Sequence, residues 1–466
     1  MTAAKPVTAI MIGAGDRGKD IYGRYALDHP NDIRFLAVAE PNDYRRQAFA
    51  LQHGLEPERV FSSWEPLLAQ PKAADAAFVC TQDQMHSKPA LAAMEQGYHI
   101  MLEKPMAPTA EECRLLVQTA ESRGLHLQIG YVMRYSAFYN LIHQVIHSGQ
   151  LGELICLSQR ENVSYWHMSH SFVRGNWRSS QESTPMILAK CCHDMDLLRW
   201  LVGSPVHSIS STGNLKHFRS DKAPQGAPER CADGCPHEQE CIFSAVDIYV
   251  RLTPLLRLGA MSGAPHLNLA SKFLINYPGQ AESLAKIIPP LRQFTEWKGW
   301  PVRVMTTDYT RQGRMRAIQD PSNPYGRCVY HCDNDVVDHQ HTNIEFTNGV
   351  TATLIMHGHS YAEGRTLRID GSKATLTGEL YYHRQRLTLF DKRSGRETVL
   401  YKGGLTLDED GHGGGDDGLM EAFVKLMRGQ EGGADTDAQA SLESHLMAFA
   451  AEQSRLESRT ILMDQS

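Results

Sequence analysis

The residues best spaced for chemistry lie near the start of the chain. Gly13-Ala14-Gly15-Asp16-Arg17-Gly18 has G-x-G-x-x-G spacing, follows the β-prone run Val7–Ile12, and opens a helix-compatible stretch, Lys19 to Leu27. Glu40 closes a second apolar run, Ile33–Ala39, about 20 residues further on. In that order, Gly13 permits the tight turn, Gly15 lets the backbone approach a pyrophosphate, and Gly18 lets the helix pack close, its positive N-terminus aimed at phosphate. Arg17, inside the turn, is counted with the cofactor contacts, and Glu40 is placed to accept hydrogen bonds from the adenosine ribose. A carboxylate there repels a 2′-phosphate and so favours NAD over NADP, with Arg45 and Arg46 close enough to soften the preference.

A second group of reactive types runs from Tyr165 to Arg178. Aromatic faces such as that of Trp177 suit the C–H groups of a sugar ring, while His167, His170, Arg174 and Arg178 can donate to hydroxyls; the arginines can also fork onto an anionic substituent. Two further patches are dense in polar groups, Tyr325–Gln340 and His412-Gly413-Gly414-Gly415-Asp416. Cys231, Cys235 and Cys241 share a Pro/Gly-rich loop with His237. A structural metal there would take Cys191 or Cys192 as its fourth ligand; free thiols are the other reading.

These groups must be positioned by two kinds of sheet. Strand-like runs at 7–12, 33–39, 76–80 and 98–102 alternate with helical intervals, which implies a parallel, doubly covered sheet. Beyond Leu151 the runs lengthen, at 154–158, 343–346 and 350–356, and fit a largely antiparallel, open-faced sheet. The stretch from about 213 to 338 lacks clear periodicity and reads as inserted loops and short helices, and 418–457 has helical spacing. The expected architecture is an α/β Rossmann domain over 1–130 and an α+β domain with a large open, mostly antiparallel sheet over 131–466. At 466 residues two domains are the natural division.

A net charge of -6 without long runs of one sign argues against a general nucleic-acid surface. No apolar stretch reaches about 18 residues, and the first residues lack a signal-peptide layout, so we expect a cytoplasmic enzyme without a membrane partner.

The sequence resembles the glucose-fructose oxidoreductase / inositol dehydrogenase / rhizopine catabolism (Gfo/Idh/MocA) family. Beyond the glycine turn, Cys80-Thr81-Gln82-Asp83-Gln84-Met85-His86 is similar to its T-P-D-x-x-H segment, and Glu103-Lys104-Pro105 matches its E-K-P. Gly130-Tyr131-Val132-Met133-Arg134-Tyr135 resembles its hinge into the substrate domain, and Asn176-Trp177-Arg178 its W-R. The resemblance covers residues 7 to about 203 well. It implies NAD as cofactor, with Thr81, His86, Glu103 and Lys104 around it, and Tyr131 at the substrate. It also implies that the Lys104 ammonium hydrogen-bonds the sugar hydroxyl being oxidised.

One segment departs from the family. Its dehydrogenases carry D-x-x-x-H ahead of a helix; here His193 is present, but Ala189 stands four residues earlier in place of the aspartate. The base is then His193 first, with Lys190, its pKa lowered by burial, and Asp194 as alternatives. NAD-dependent glycosidases related to the family also lack that aspartate. Two activities are therefore expected, an NAD-dependent oxidoreductase acting on a sugar, glycoside or cyclitol and, as the alternative, a redox-neutral NAD-dependent glycosidase acting on an anionic glycoside such as a sulfoquinovoside. The family pairs open sheet faces between subunits, which implies a homodimer or homotetramer.

Overall fold

The structure is a computed structural model, which describes residues 5–261, 264–285, 287, 292, 295–404, 413–432 and 438–463. Its first layer is a six-stranded parallel sheet in the order β3-β2-β1-β4-β5-β6, made by β1 (Val7–Ile12), β2 (Ile33–Ala39), β3 (Val60–Phe61), β4 (Ala76–Val79), β5 (His99–Leu102) and β6 (Leu127–Ile129). β1 and β4 are apolar on both faces because helices cover both sides. The order reverses between β1 and β4, the crevice in which such sheets bind ligands.

The glycine turn shows why side chains are excluded there. Gly13 has φ +92°, and a Cβ on it would lie 2.5 Å from the carbonyl oxygen of Cys80; a Cβ on Gly18 would lie 2.1 Å from that of Gly13. Gly15 differs: its nearest neighbour would be an Arg45 nitrogen at 3.9 Å, so its open side faces free space.

The second layer has nine strands in the order β14-β13-β12-β11-β7-β10-β9-β8-β15. These are β7 (Leu154–Ser164), β8 (Val206–Asn214), β9 (His339–Phe346), β10 (Thr351–Ser360), β11 (Gly364–Gly371), β12 (Ala374–Tyr381), β13 (Arg384–Asp391), β14 (Glu397–Gly403) and β15 (Ile461–Leu462). Pairing is antiparallel except between β7 and β10. Along β9, Gln340, Thr342, Ile344 and Phe346 are buried while His341, Asn343 and Glu345 are exposed, the period-two alternation of a sheet with one open face.

The inserted stretch forms short helices, among them Thr253–Met261, Pro265–Asn276 and Arg311–Gln319, around a small core that includes Tyr249, Val302 and Tyr325. The helical spacing beyond residue 415 resolves into Gly415–Met427 and Ala438–Glu457. Both return toward the first layer: the Phe423 ring meets that of Phe78 edge to face at 5.2 Å, and Arg428 pairs with Asp32. His412 lies outside the described residues. No helix among the described residues is long and apolar enough to cross a membrane.

Candidate active site

A cavity of about 320 Å³ opens where the β1 turn, the loops after β4 and β5, and the second layer meet. Gly15, Arg17, Thr81, Glu103 and Lys104 line it from the first layer, and His170, Trp177 and His193 from the second. These sequence candidates, drawn from segments up to 178 residues apart in the numbering, line one cavity.

Lys104 is held in place by its loop. His86, buried, bonds the carbonyl of Pro105 through Nδ1 at 2.6 Å and that of Thr81 through Nε2 at 3.1 Å, tying the two cavity loops together. From the other side, the backbone N–H of Met106 donates to Nε2 of His445, 2.7 Å away on the C-terminal helix. Burial pushes His445 down to about 4, so it is neutral; Nδ1 carries the proton and donates to the carbonyl of Ser441 at 2.8 Å. Tyr131 is fully buried, its hydroxyl 3.0 Å from the same Nδ1 and its ring edge to face with His193 at 5.8 Å. Tyr131, expected at the substrate, thus packs behind His193 instead.

The Lys104 Nζ donates to the backbone carbonyl of Ala189 at 3.3 Å, the position where the resembling enzymes carry an aspartate. Beside it, Glu103 accepts from Arg17 Nε at 2.6 Å and from the Tyr22 hydroxyl. Burial would push the Glu103 carboxyl up, but Arg17 and Lys104 outweigh it and hold Glu103 below its usual value, as an anion. Arg17 also pairs with Asp416 at 2.7 Å, so the turn, the E-K-P loop and the helix Gly415–Met427 are joined through one guanidinium.

Glu40 fits an adenosine ribose. Its carboxylate is oriented by the N–H groups of Ala14 (2.8 Å) and Asn42 (2.9 Å), one on each oxygen, and each oxygen keeps a second lone pair. Together with the free space beside Gly15, this is a cradle shaped for a dinucleotide. Gly15→Arg should therefore fold normally and lose the enhancement of NADH fluorescence on binding; binding at wild-type strength would remove the cofactor site from this turn.

Several expectations are corrected by long-range contacts. Arg174 is fully buried away from the cavity, donating to the carbonyls of Arg327 (2.7 Å) and Phe243 (2.7 Å). Arg178 pairs with Asp333 and Glu182. His167 pairs with Glu363 at 3.0 Å. Lys190 contacts Glu363 at 3.0 Å and Glu161 at 3.5 Å; burial would lower its pKa, but these acids outweigh burial and raise it, so it is no base near neutral pH. Asp194 is gripped by Arg365 (2.9 and 3.1 Å) and by Gln159 (2.6 Å). None of these five lines the cavity. Among the described residues, no group of three or more His, Cys, Asp or Glu is placed to hold a metal ion, and Cys191 and Cys192 are packed in the core.

Of the other residues lining the cavity, Trp300 and Val304 carried no signal in the sequence, whereas Tyr325 opens the polar patch Tyr325–Gln340. Trp300, Val304 and Tyr325 come from the insertion. The Trp300 ring lies 5.1 Å from that of His170, which stacks on Tyr325 at 4.6 Å. Burial pushes the His170 pKa well down, and its Nδ1 meets the Tyr249 hydroxyl at 2.9 Å. Asp83, within the T-P-D-like segment, accepts from the Trp177 indole (3.1 Å), Ser183 (3.0 Å) and Thr184 (2.9 Å), and so sets the indole at the cavity edge.

Residues 7–131 match the model of an oxidoreductase family with an NAD-binding Rossmann fold, and residues 139–233 match the Gfo/Idh/MocA C-terminal domain. Over those two segments the chain matches the Gfo/Idh/MocA family. Among its relatives, inositol 2-dehydrogenase of Corynebacterium glutamicum is 27% identical over 219 residues, which cover 46% of this chain and 60% of that enzyme. The 2,7-anhydro-N-acetylneuraminate hydratase of Mediterraneibacter gnavus is 24% identical over 46% of this chain and 54% of its own length. The chain thus spans a little over half the length of these Gfo/Idh/MocA relatives. In fold, an inositol dehydrogenase homolog from Azotobacter vinelandii complexed with NAD+ matches 99% of this chain and 98% of its own, with a TM-score of 0.65 at 15% identity.

Proposed function

We propose that this protein is an NAD-dependent oxidoreductase that oxidises a ring carbinol of a sugar, glycoside or cyclitol. The observation that carries the reading is that Lys104 and His193 line one cavity together with the glycine turn. The glycine turn, Glu40 and the Glu103-Lys104 loop would hold NAD+, which would supply the acceptor for the hydride of the carbinol carbon. The Lys104 ammonium donates a hydrogen bond to the reacting hydroxyl and stabilises the negative charge that develops on its oxygen. His193 takes the hydroxyl proton as the C–H bond breaks, so the proton goes to the imidazole and the two electrons to the cofactor. Trp177, Trp300 and Tyr325 offer aromatic faces to the C–H side of the ring and exclude water.

With Arg174 and Arg178 engaged elsewhere, the two arginines expected to fork onto an anionic substituent do not line the cavity. An uncharged ring is the better substrate. Inositol 2-dehydrogenases among the relatives agree with this reading.

One observation favours a second reading, a redox-neutral glycosidase: Lys104 meets the backbone carbonyl of Ala189, where the resembling dehydrogenases carry an aspartate. Incubation with NAD+ and a panel of cyclitols and aryl glycosides separates the two. NADH accumulating in proportion to substrate supports the dehydrogenase. Aglycone release without net NADH, abolished by stripping the cofactor, replaces it with the glycosidase. We further expect light scattering to give a dimer or tetramer that pairs the open sheet face, and a monomer would refute this.

A further inference from the structure

The turn that approaches the cofactor diphosphate carries an acid. Asp16 follows Gly15 directly, at the start of the first helix, and Asp20 lies one turn on. A carboxylate beside a docking diphosphate opposes it by like-charge repulsion, and offsets what the helix N-terminus supplies.

A residue of the insertion answers that charge. Arg303, on the short helix Val302–Met305, reaches Asp16 through one terminal nitrogen at 3.0 Å and, through the other at 3.2 Å, Asp20, which also pairs with Lys19. Its Nε–H is shielded from solvent and has no acceptor among the described residues, so the guanidinium keeps a donor in reserve. Arg303 borders a groove with Asn42, Tyr44, Arg45 and Lys298, on the adenosine side of the turn, and this groove shares Asp16, Arg45 and Val304 with the main cavity.

We propose that Arg303 is a positioning residue of the cofactor site: it neutralises Asp16 and Asp20 so that a dinucleotide diphosphate can dock on a turn that would otherwise repel it. The insertion is in that case part of the cofactor site as well as a wall of the substrate cavity. The proposal rests on the dinucleotide reading of the turn.

The test is NADH binding, read by nicotinamide fluorescence on wild type, Arg303→Ala, Arg303→Lys, and Arg303→Ala combined with Asp16→Asn and Asp20→Asn. Arg303 is about one-third exposed, so its removal should leave the unfolding transition in place, and a thermal melt checks this. Arg303→Ala should raise the NADH Kd about tenfold, equivalent to about 1.4 kcal/mol. Arg303→Lys should recover most of the loss, and removing the two acids should restore binding to within about twofold, since then no charge needs an answer. Equal binding by wild type and Arg303→Ala overturns the proposal. So does a loss that neither the lysine nor the two asparagines repair, since that is the behaviour of a merely structural strap. Absence of binding by wild type overturns the dinucleotide reading itself.

Discussion

Turnover by Lys104→Ala is expected to fall about 10²- to 10⁴-fold, the range for losing a positioned proton donor and charge stabiliser. In the proposed mechanism Lys104 addresses the substrate hydroxyl, so the loss should appear in kcat, while NADH affinity changes by no more than a few-fold. Lys104→Arg should recover little: the ammonium is a compact donor in a loop fixed by His86 and His445, and a planar fork cannot occupy the same point. Steady-state rates beside NADH titrations decide the matter. A Lys104→Ala enzyme with most of its turnover would remove Lys104 from the chemistry.

Asp194→Ala should be the most destabilising of the substitutions considered. Asp194 and Arg365 are both buried, joined at 2.9 and 3.1 Å, and Gln159 donates to the same carboxylate. Arg365 also contacts Glu161 at 2.6 Å, and Glu161 and Glu363 both meet Lys190. Removing one acid leaves a guanidinium short of countercharge away from water, a loss of about 3–5 kcal/mol. The urea midpoint should drop accordingly, whereas Asp194→Ala/Arg365→Met should lose less, because the guanidinium goes with its acid and Glu161, which also contacted it, keeps Lys190 as countercharge. Equal destabilisation of the single and double variants would contradict this account. Asp194 belongs to the helix that carries His193, Cys192–Val202, so the network also anchors that helix.

Two of the five relocated side chains show how the site was only partly legible. Arg174 and His167 sit in a stretch whose composition suits a sugar pocket, and their neighbours His170 and Trp177 do line the cavity. Which residues of that stretch face inward was not readable, because it folds as wide helical turns whose spacing matches neither the strand nor the usual helix period. Arg174 is claimed by carbonyls 69 and 153 residues away. Lys190 looked available as a base until Glu363, 173 residues on, was brought against it. A pairing at that distance leaves no local trace.

By itself the sequence determined what local backbone geometry and short spacing can enforce: a glycine turn in which Gly13 and Gly18 exclude a Cβ, an acid closing the second strand, Lys104 two residues after β5, and the alternation that leaves one face of the large sheet open. The tertiary structure alone decided which charges meet. It placed His445 behind the Lys104 loop, gave Trp300, Val304 and Tyr325 of an aperiodic insertion to the cavity, and set Arg303 against Asp16. The reason is physical: periodicity reports which side of an element is buried, but the partner of a buried charge is chosen by packing among segments that the chain order keeps far apart.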